Sequence, residues 1–343
     1  MIFFVGDICL CDKAFDIGFG VGSQIAKGSI KPFAKLNKKN GDLWVGNFEA
    51  VVSNITNRND YSKTSFRIEP DTFDKSGSII DYWGIANNHV MEHGGEAYQQ
   101  MVDVLSKKSK GVFGNLEKKS ICFDFQGKKI AVTGMCLRVE ETKNSPLYWH
   151  LPDLCDIENE YRSVSGADVK VANIHWGVEY VNYPSVEQVK FAHWLVDLGY
   201  DLIVGMHPHV LQGFEVYKGK HIFYSLGNFV FNMAYEPSKY SSVVFYDVES
   251  NSVGYQYVHI GKDCCPEMVE EEQVPVEFRF DTLNKKIEKE KNVEKYISDY
   301  NKGLKAYRKS NNRAVLSNVF KFKPSIIFQM LLGFIKRRLH YAH

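Results

Sequence analysis

The sequence carries almost no net charge and few of the features that mark a secreted or membrane-spanning protein. Lys plus Arg number 42 and Asp plus Glu number 41, so no overall positive field exists to attract nucleic acid, and we expect no nucleic-acid partner. The apolar stretch 325–335 is shorter than the roughly 20 residues that cross a bilayer. Residues 1–5 are apolar but run directly into Gly6 and Asp7, unlike a secretory signal. We therefore expect a cytoplasmic protein.

Cysteine is present without a regular pattern. The seven cysteines are irregularly spaced and odd in number, which fits reduced thiols better than a disulfide framework. What the chain does have is length and apolar content: 343 residues, 44% of them hydrophobic. This is enough to bury a large core.

Strand-like runs alternate with helical segments in the first two thirds of the chain. One helix is predicted from Ser185 to about Leu198, because Ser185 and Gln188 form a capping-box pattern and Gly199 ends the helical pattern. A second helix is predicted over 96–109. This alternation is typical of an α/β protein whose functional loops follow the strands. The predicted strands are 1–5, 43–45, 83–85, 129–133, 169–174 and 201–204.

The pattern changes after Pro208. Short strands separated by tight turns, at 214–216, 221–225, 243–248 and 255–260, predict an antiparallel sheet that completes a sandwich. A Lys/Glu-rich helical stretch follows over 281–307, and the segment 320–338 is apolar before it ends in Lys336, Arg337 and Arg338. We divide the chain into a main domain, 1–280, and a helical extension, 281–343.

Residues of metal-ligand type follow five of the strands. Carboxylates, amide oxygens and neutral imidazoles suit Mn, Fe or Zn, and a sheet edge can gather such groups from distant parts of a sequence. Five such motifs, all at strand ends, predict a metal site. The motifs are Val5-Gly6-Asp7, Gly46-Asn47-Phe48-Glu49, Ala86-Asn87-Asn88-His89, Asn173-Ile174-His175-Trp176-Gly177 and Gly205-Met206-His207-Pro208-His209.

The order Asp, Glu, Asn-His, His and His-x-His resembles the metallophosphoesterase (calcineurin-like) superfamily. The residues of these motifs, together with Tyr224-Ser225-Leu226-Gly227-Asn228-Phe229, resemble the CapA branch of that superfamily, which is associated with poly-γ-glutamate or capsule synthesis. The resemblance covers roughly residues 1–260. It implies a four-layer α/β/β/α sandwich, followed here by the C-terminal helical extension, and one or two divalent metal ions.

The resemblance also implies roles for individual residues. Asp7 and His209 would hold one metal, and Glu49 would bridge to a second metal held by Asn88, His175 and His207. His89 would protonate the leaving oxygen, or else support a ligand. Two metals would lower the pKa of a shared water and bind an oxyanion. Substrate contacts are predicted for Asn47, Glu92, Trp176, Glu179, Tyr180 and Asn228.

Three positions depart from the usual family pattern. Cys9 stands where Asp-x-His would place histidine, Met206 replaces another histidine, and Glu92 replaces aspartate. Cys9 is predicted to pack in the core, which leaves the first metal site with few ligands. Two functions stay open: a metal-dependent hydrolase or transferase acting on a phosphate ester or amide-linked polymer precursor, and a non-catalytic accessory subunit.

The C-terminal segment 320–338 has two interpretations. It could be a docking helix, or an interfacial helix held to anionic lipid by its basic end. We favour the second, which predicts a peripheral protein at the inner face of the membrane and a segment that the core does not need. The predicted partners are a cell-envelope polymer or its precursor and, through this segment, a membrane surface or a membrane protein.

Overall fold

The computed structural model describes residues 1–138, 146–289, 292–330 and 332. The strands are β1 Ile2–Ile8, β2 Leu43–Phe48, β3 Val51–Val52, β4 Arg67–Ile68, β5 Tyr82–Gly84, β6 Gly111–Phe113, β7 Ser120–Phe125, β8 Lys128–Cys136, β9 Val169–His175, β10 Leu202–Met206, β11 Phe214–Tyr217, β12 Lys220–Phe223, β13 Asn228–Val230, β14 Tyr240–Asp247, β15 Ser252–Ile260 and β16 Pro266–Val269. The helices are α1 Val21–Ala26, α2 Pro70–Lys75, α3 Gly95–Lys108, α4 Leu154–Ser163, α5 Val186–Leu198, α6 Phe280–Lys289 and α7 Val293–Ser317.

Two mixed sheets form the centre of the molecule. The first has the order β16-β15-β14-β1-β2-β5-β6, and β13 also pairs with β1. Its strands β1, β2, β5 and β6 are parallel. The second has the order β11-β12-β10-β9-β8-β7, with β12, β10, β9 and β8 parallel. Each sheet therefore has a parallel centre whose strand ends can carry a site.

Three hydrophobic layers hold these sheets and helices together. Phe4 of the first sheet and Val204 of the second lie in the layer between the sheets. Trp44 packs with α3 on the outer face of the first sheet, and Ile203 packs with Leu195 of α5 on the outer face of the second. The order of layers is helix, sheet, sheet, helix, which confirms the predicted four-layer α/β/β/α fold.

Helix α5 has the predicted ends. The Ser185 side chain accepts from the backbone N–H of Gln188, the Gln188 side chain accepts from that of Ser185, and Gly199 ends the helix at φ 123°. The strands after Pro208 differ from the prediction, because they do not form an antiparallel sheet of their own. Strand β12 pairs parallel to β10, whereas β14 pairs antiparallel to β1. Each sheet had an open edge, and pairing there satisfies backbone groups that would otherwise stay unpaired.

The C-terminal helices pack on the sandwich. Phe280 of α6 is buried in the layer between the sheets. The domain boundary at residue 280 stays a prediction. Phe322 is 5% exposed and its ring lies 4.9 Å from that of Phe19, so part of the segment 320–338 packs on the main domain. That the core does not need the segment stays a prediction. Phe320, by contrast, is 98% exposed.

The basic end of that segment, Lys336 to Arg338, lies outside the described residues. Among the helices of the described ranges, we find none with the length and apolar character to cross a bilayer.

Candidate metal centre

The carboxyl ends of four parallel strands meet at one place. Asp7 of β1 pairs with Asn47 of β2, and Met206 of β10 pairs with His175 of β9. The chain at β13 crosses close to β1 at Gly6, where a Cβ atom would lie 1.9 Å from the Gly227 carbonyl oxygen. Only glycine permits this close approach. Because of it, the Gly227 carbonyl accepts a hydrogen bond from the backbone N–H of Asp7 at 3.0 Å.

Asp7 is fully buried and well supplied with donors. Its carboxylate accepts hydrogen bonds from Asn47 Nδ2 at 2.7 Å and from the backbone N–H of His207 at 3.1 Å. His209 Nδ1 lies 3.5 Å from the same group. Burial raises the pKa of Asp7, but the hydrogen bond from His209 and the neighbouring His175 outweigh it, so the pKa lies below its ordinary value. Asp7 is therefore an ionised, fixed anion.

Glu49 is buried without such donors. Its Oε1 lies 3.7 Å from Nε2 of each of His89, His175 and His209. Neither carboxyl oxygen has a hydrogen-bond partner among the residues that the structure describes. Burial, followed by the charge of Asp7, raises the pKa of Glu49 well above its usual range. A buried carboxylate without a donor is costly, and a bound cation would remove that cost.

The histidines of the cluster are held close to one another. His175 Nε2 lies 2.8 Å from Asn88 Oδ1, and the His175 and His207 rings are 4.6 Å apart. Burial lowers the pKa of His175 to about 3, although Asp7 acts in the opposite direction. Burial and the nearby His175 lower the pKa of His207 well below normal. Both imidazoles are thus neutral, as a metal ligand must be.

The residues present fit a divalent cation. One ligand atom from each of Glu49, His207 and His209 lies within 4.8 Å of the others, a spacing close to that of ligands whose bonds to one ion are near 2 Å. Asp7 and Asn88 adjoin these residues through the contacts given above. The structure thus brings all six predicted ligands into one cluster. The assignment of each residue to a particular metal ion stays a prediction.

His89 lies at the edge of this cluster between two carboxylates. Its Nδ1 is 2.8 Å from Glu92 Oε1, and its Nε2 faces Glu49. The ring of Phe66 stacks on it at 3.9 Å and 3°, and Arg58 forms an ion pair with Glu92. Burial, then the neighbouring imidazoles, lower the pKa of His89. The imidazole is thus fixed in orientation, with one nitrogen on Glu92 and the other toward the cluster.

Three of the predicted substrate contacts are buried and hold protein groups. Asn47 joins Asp7 to Asn87, which donates to it at 3.0 Å. Asn228 Oδ1 lies 2.9 Å from His209 Nδ1. Trp176 is 1% exposed and donates its indole N–H to the Tyr224 carbonyl at 2.8 Å. The contacts that the structure gives these three side chains are with protein groups, and their contact with a substrate stays a prediction.

Of the other predicted substrate contacts, Tyr180 is also buried, at 7% exposed, whereas Glu92 and Glu179 are half-buried. Tyr180 adopts φ 66° and stacks on Tyr307 of α7 at 4.2 Å. Glu179 lies 3.2 Å from Nη1 of Arg138, and Glu92 holds His89. Contact of any of the three with a substrate stays a prediction.

Sequence reasoning did not find Arg138, whose Nη1 lies 2.9 Å from Nε2 of His207. Strand β8 runs to Cys136, three residues beyond its predicted end, so Arg138 was not placed at a strand end. An apolar run continuing through Met135 and Cys136 was the signal for the longer strand. Arg58 and Phe66, which fix the Glu92–His89 pair, were also missed, because nothing in their local sequence marks them.

Two of the departures from the usual pattern are packing residues. Cys9 is fully buried in the hydrophobic layer on the outer side of the first sheet, as predicted. Met206 is fully buried between the two sheets, so its side chain extends away from the strand-end loop. The ligand set around Glu49 contains neither residue.

Comparison with known proteins agrees with the motif order. The family model for the bacterial capsule synthesis protein PGA_cap matches residues 1–233. A capsule biosynthesis protein CapA of Bacillus anthracis is 32% identical over 72% of this chain and 63% of its own length. A PGA biosynthesis protein CapA of Bacillus subtilis is 30% identical over 73% of this chain and 68% of its own length. The chain thus spans about two thirds of these relatives.

Solved structures are more remote. A phosphatase from Mycoplasma pneumoniae superposes with a TM-score of 0.46 at 13% identity, covering 76% of this chain and 92% of its own. A putative 5′-nucleotidase from Staphylococcus aureus gives 0.44 at 12% identity, over 84% and 58%. The family match covers the strands that carry Asp7, Glu49, His175 and His209, and with the two Bacillus relatives it shows that the chain belongs to the bacterial capsule synthesis (PGA_cap) family.

Proposed function

We propose that this protein is a metal-dependent hydrolase or transferase of capsule-polymer synthesis, acting on a phosphate ester or an amide-linked polymer precursor. The observation that carries the proposal is the buried Glu49 carboxylate, which has three imidazoles around it and no hydrogen-bond donor among the described residues. The relatives named for capsule or PGA biosynthesis support the process. The reaction itself is inferred from the donor set.

A divalent ion of Mn, Fe or Zn at Glu49, His207 and His209, with Asp7, Asn88 and His175 available for the same ion or a second one, would supply a Lewis acid that activates water and stabilises an oxyanion. The chain prepares these ligands in advance. Asn228 accepts from Nδ1 of His209, which leaves Nε2 with a lone pair on the side of Glu49. Asn47 and the His207 N–H fix the Asp7 carboxylate.

His89 is the residue placed to move a proton. Its Nδ1–H donates to Glu92, so Nε2 is the nitrogen that exchanges a proton with the reacting oxygen. Stacking on Phe66 and the Arg58–Glu92 ion pair hold this geometry without a bond to substrate. The same contacts would keep the ring in place through repeated turnover.

The test is an assay with two chromogenic substrates, an activated phosphodiester and a γ-glutamyl anilide. The purified chain is stripped with a chelator and reloaded separately with Mn²⁺, Fe²⁺ or Zn²⁺. We expect metal-dependent release from at least one substrate and none from His175→Ala, which lacks an imidazole at the centre of the cluster. Metal binding without turnover on either substrate would contradict the catalytic proposal.

A non-catalytic accessory role is the second candidate. It is favoured by Cys9 and Met206, which pack in the core where the family usually has histidines. A probable polyglutamine synthesis accessory protein of Mycobacterium tuberculosis is 23% identical over 55% of this chain. In that role the cluster would bind metal and the protein would bind polymer, but neither chromogenic substrate would be cleaved.

The C-terminal region supports a proposal about location. One exposed groove of α7 combines Leu304 and Leu316 with Arg308 and Arg313, and Phe320 beyond it is almost fully exposed. Apolar side chains beside cations suit an anionic lipid surface. We propose that this region docks on the inner face of the membrane, where a cell-envelope polymer or its precursor is the partner.

A further inference from the structure

A second buried histidine, His93, follows His89 in the sequence and is not one of the six predicted ligands. Its side chain is 1% exposed, and both ring nitrogens have partners. Nε2 lies 2.8 Å from the Ser65 carbonyl oxygen, and Nδ1 lies 2.7 Å from the Thr56 hydroxyl. Burial lowers the pKa of His93 to about 4, so the ring is neutral at neutral pH.

The two partners determine which nitrogen of His93 carries the proton. A backbone carbonyl only accepts, so Nε2–H is the donor to Ser65. Nδ1 then has the lone pair, which accepts from the Thr56 hydroxyl. The oxygen of that hydroxyl in turn accepts the backbone N–H of Arg58 at 3.1 Å. His93 therefore joins the segment of Thr56 and Arg58 to that of Ser65 through one ring.

The Ser65 contact bears on the residue that follows it. Phe66 adopts φ 55°, a left-handed conformation that is unfavourable for a residue with a bulky side chain. Its N–H donates to the Asp12 carbonyl at 2.9 Å and its carbonyl accepts from the Val51 N–H at 2.9 Å, so hydrogen bonds hold the residue on both sides. In this conformation its ring stacks on His89. Fixing the Ser65 carbonyl therefore helps to fix the ring that covers His89.

The Thr56 contact bears on the carboxylate that holds His89. Thr56 fixes the backbone of Arg58, and the Arg58 guanidinium pairs with Glu92. Glu92 Oε1 lies 2.8 Å from His89 Nδ1. The two links from His93 thus reach the same imidazole, one at the face of the ring and the other at Nδ1.

We propose that His93 is a positioning residue for His89 and fixes the direction in which its Nε2 points. One link holds the stacked Phe66 ring, and the other holds the Glu92 carboxylate. Because both links start from one neutral ring, loss of the hydrogen bonds of His93 should let the His89 imidazole turn. The inference rests on the proposed function in taking His89 Nε2 to exchange the proton of the reaction. It predicts a slower chemical step with metal affinity unchanged.

The first test compares turnover in three variants of the metal-loaded full chain. His93→Phe keeps an aromatic ring without its hydrogen bonds, Thr56→Val removes the hydroxyl alone, and Thr56→Ser keeps the hydroxyl. We expect kcat to fall about tenfold in the first two variants, with KM and Mn²⁺ affinity equal to the parent's, and to recover in Thr56→Ser. Thr56→Val decides the matter if His93→Phe loses its thermal transition.

Thr133→Val is the matched control, because Thr133 also has a hydroxyl with two partners inside the protein. Its Oγ1 lies 2.8 Å from Ser120 Oγ and 3.2 Å from the Tyr200 hydroxyl. Thr133 belongs to β8 of the second sheet, so this variant should lose stability and keep the parental kcat. A parental kcat in Thr56→Val, or an equal loss of kcat in Thr133→Val, would overturn the positioning role.

The second test examines the His89 ring without turnover. Long-range ¹H–¹⁵N correlation spectra of the Zn²⁺-loaded protein, labelled with ¹⁵N-histidine, report which ring nitrogen carries the proton, and the His89 signals are those absent from His89→Asn. The parent should show a protonated Nδ1 and an unprotonated Nε2. In Thr56→Val the two nitrogen shifts should move toward each other, because both tautomers become populated.

Unchanged His89 shifts in Thr56→Val would overturn the inference. Absence of turnover in the parent would remove the proposed function but leave the nitrogen shifts as the deciding measurement, so the two failures are distinguishable.

Discussion

The metal cluster and helix α7 differ in how they are built. The cluster residues come from the first 209 positions and lie at or after strand ends, and all of them except the half-buried Asn88 are almost fully buried. Helix α7 begins at Val293, and among its described residues Gly303 is the one that is buried. It is seated mainly through Tyr180–Tyr307 stacking and contacts to Tyr183. The candidate metal ligands are thus placed by the sheets, whereas α7 is held on them by a small contact.

This contrast teaches that the two parts respond to different changes. Altering a cluster residue should remove metal binding or proton transfer and leave α7 seated as it was. Altering α7, which packs on the predicted substrate contact Tyr180, should change substrate affinity and leave metal binding as it was.

The largest effect is expected on turnover, for His89→Asn at the edge of the metal cluster. If His89 exchanges the proton, turnover should fall by roughly 10²–10⁴-fold, with metal content unchanged, because His89 is held by Glu92 rather than needed as a ligand. His193 offers a matched control: it pairs with Glu215 at 2.8 Å and stacks on Tyr217 at 3.8 Å, on the outer helix α5. His193→Asn should keep full turnover; equal loss in both variants would remove His89 from the mechanism.

The second effect concerns metal affinity. Glu49→Gln removes the central charge of the cluster, and we expect at least about 100-fold weaker binding of Mn²⁺ by calorimetry, beyond what outer-sphere changes produce. Asp81→Asn is the control, since Asp81 is also a buried carboxylate but accepts from Trp44 N–H at 2.8 Å and pairs with Lys38. Asp81→Asn should lose stability and retain metal. Unchanged Mn²⁺ affinity in Glu49→Gln would place the ion elsewhere.

The third effect belongs to helix α7. Gly303→Ala inserts a Cβ against the Tyr180 carbonyl, and overpacking of this kind costs about 1–3 kcal/mol. We expect the apparent affinity for substrate, measured as KM, to weaken about tenfold with Mn²⁺ affinity unchanged. Gly166→Ala, where a Cβ would meet nothing within 4 Å, should match the parent. A loss of metal in Gly303→Ala would show that the helix and the cluster are one unit.

The smallest effect is expected at the far C-terminal region. Phe320→Ser removes one exposed apolar side chain, so stability should change by less than about 0.5 kcal/mol, and cosedimentation with phosphatidylglycerol vesicles should weaken about threefold. Leu154→Ser is the control, because Leu154 is also an exposed apolar side chain but lies outside the C-terminal region. This substitution should leave vesicle binding intact. Vesicle binding that neither substitution nor added salt reduces would contradict the membrane-docking proposal.

Local patterns predicted the α/β alternation and the residues of metal-ligand type at strand ends, whereas the four-layer sandwich and the individual ligand roles came from the family resemblance. Asp7, Glu49 and His175 each end an apolar run, and a sheet edge places such positions together whatever the length of chain between them. Their order also carried the family resemblance. The capping box at Ser185 and Gln188 gave the start of α5 for the same local reason.

What the sequence did not supply depends on long-range packing. Arg138 reaches His207 only because β8 extends beyond its predicted end, and Phe66 stacks on His89 from a loop with no motif. The pairing of β12 and β14 with different sheets follows from which edges stay open after the parallel centres form. Likewise, Gly303 has meaning only once α7 is seated on Tyr180.

The central claim is that Glu49, His207 and His209 bind a divalent cation, and anomalous scattering tests it most directly. Crystals of the chelator-stripped protein would be soaked in MnCl₂ and measured near the manganese edge, with Glu49→Gln crystals treated in parallel. The account predicts a peak within ligand distance, near 2.2 Å, of those three side chains in the parent and a weak or absent one in the variant. A parent map with no peak among these residues, or an equal peak in Glu49→Gln, would contradict it.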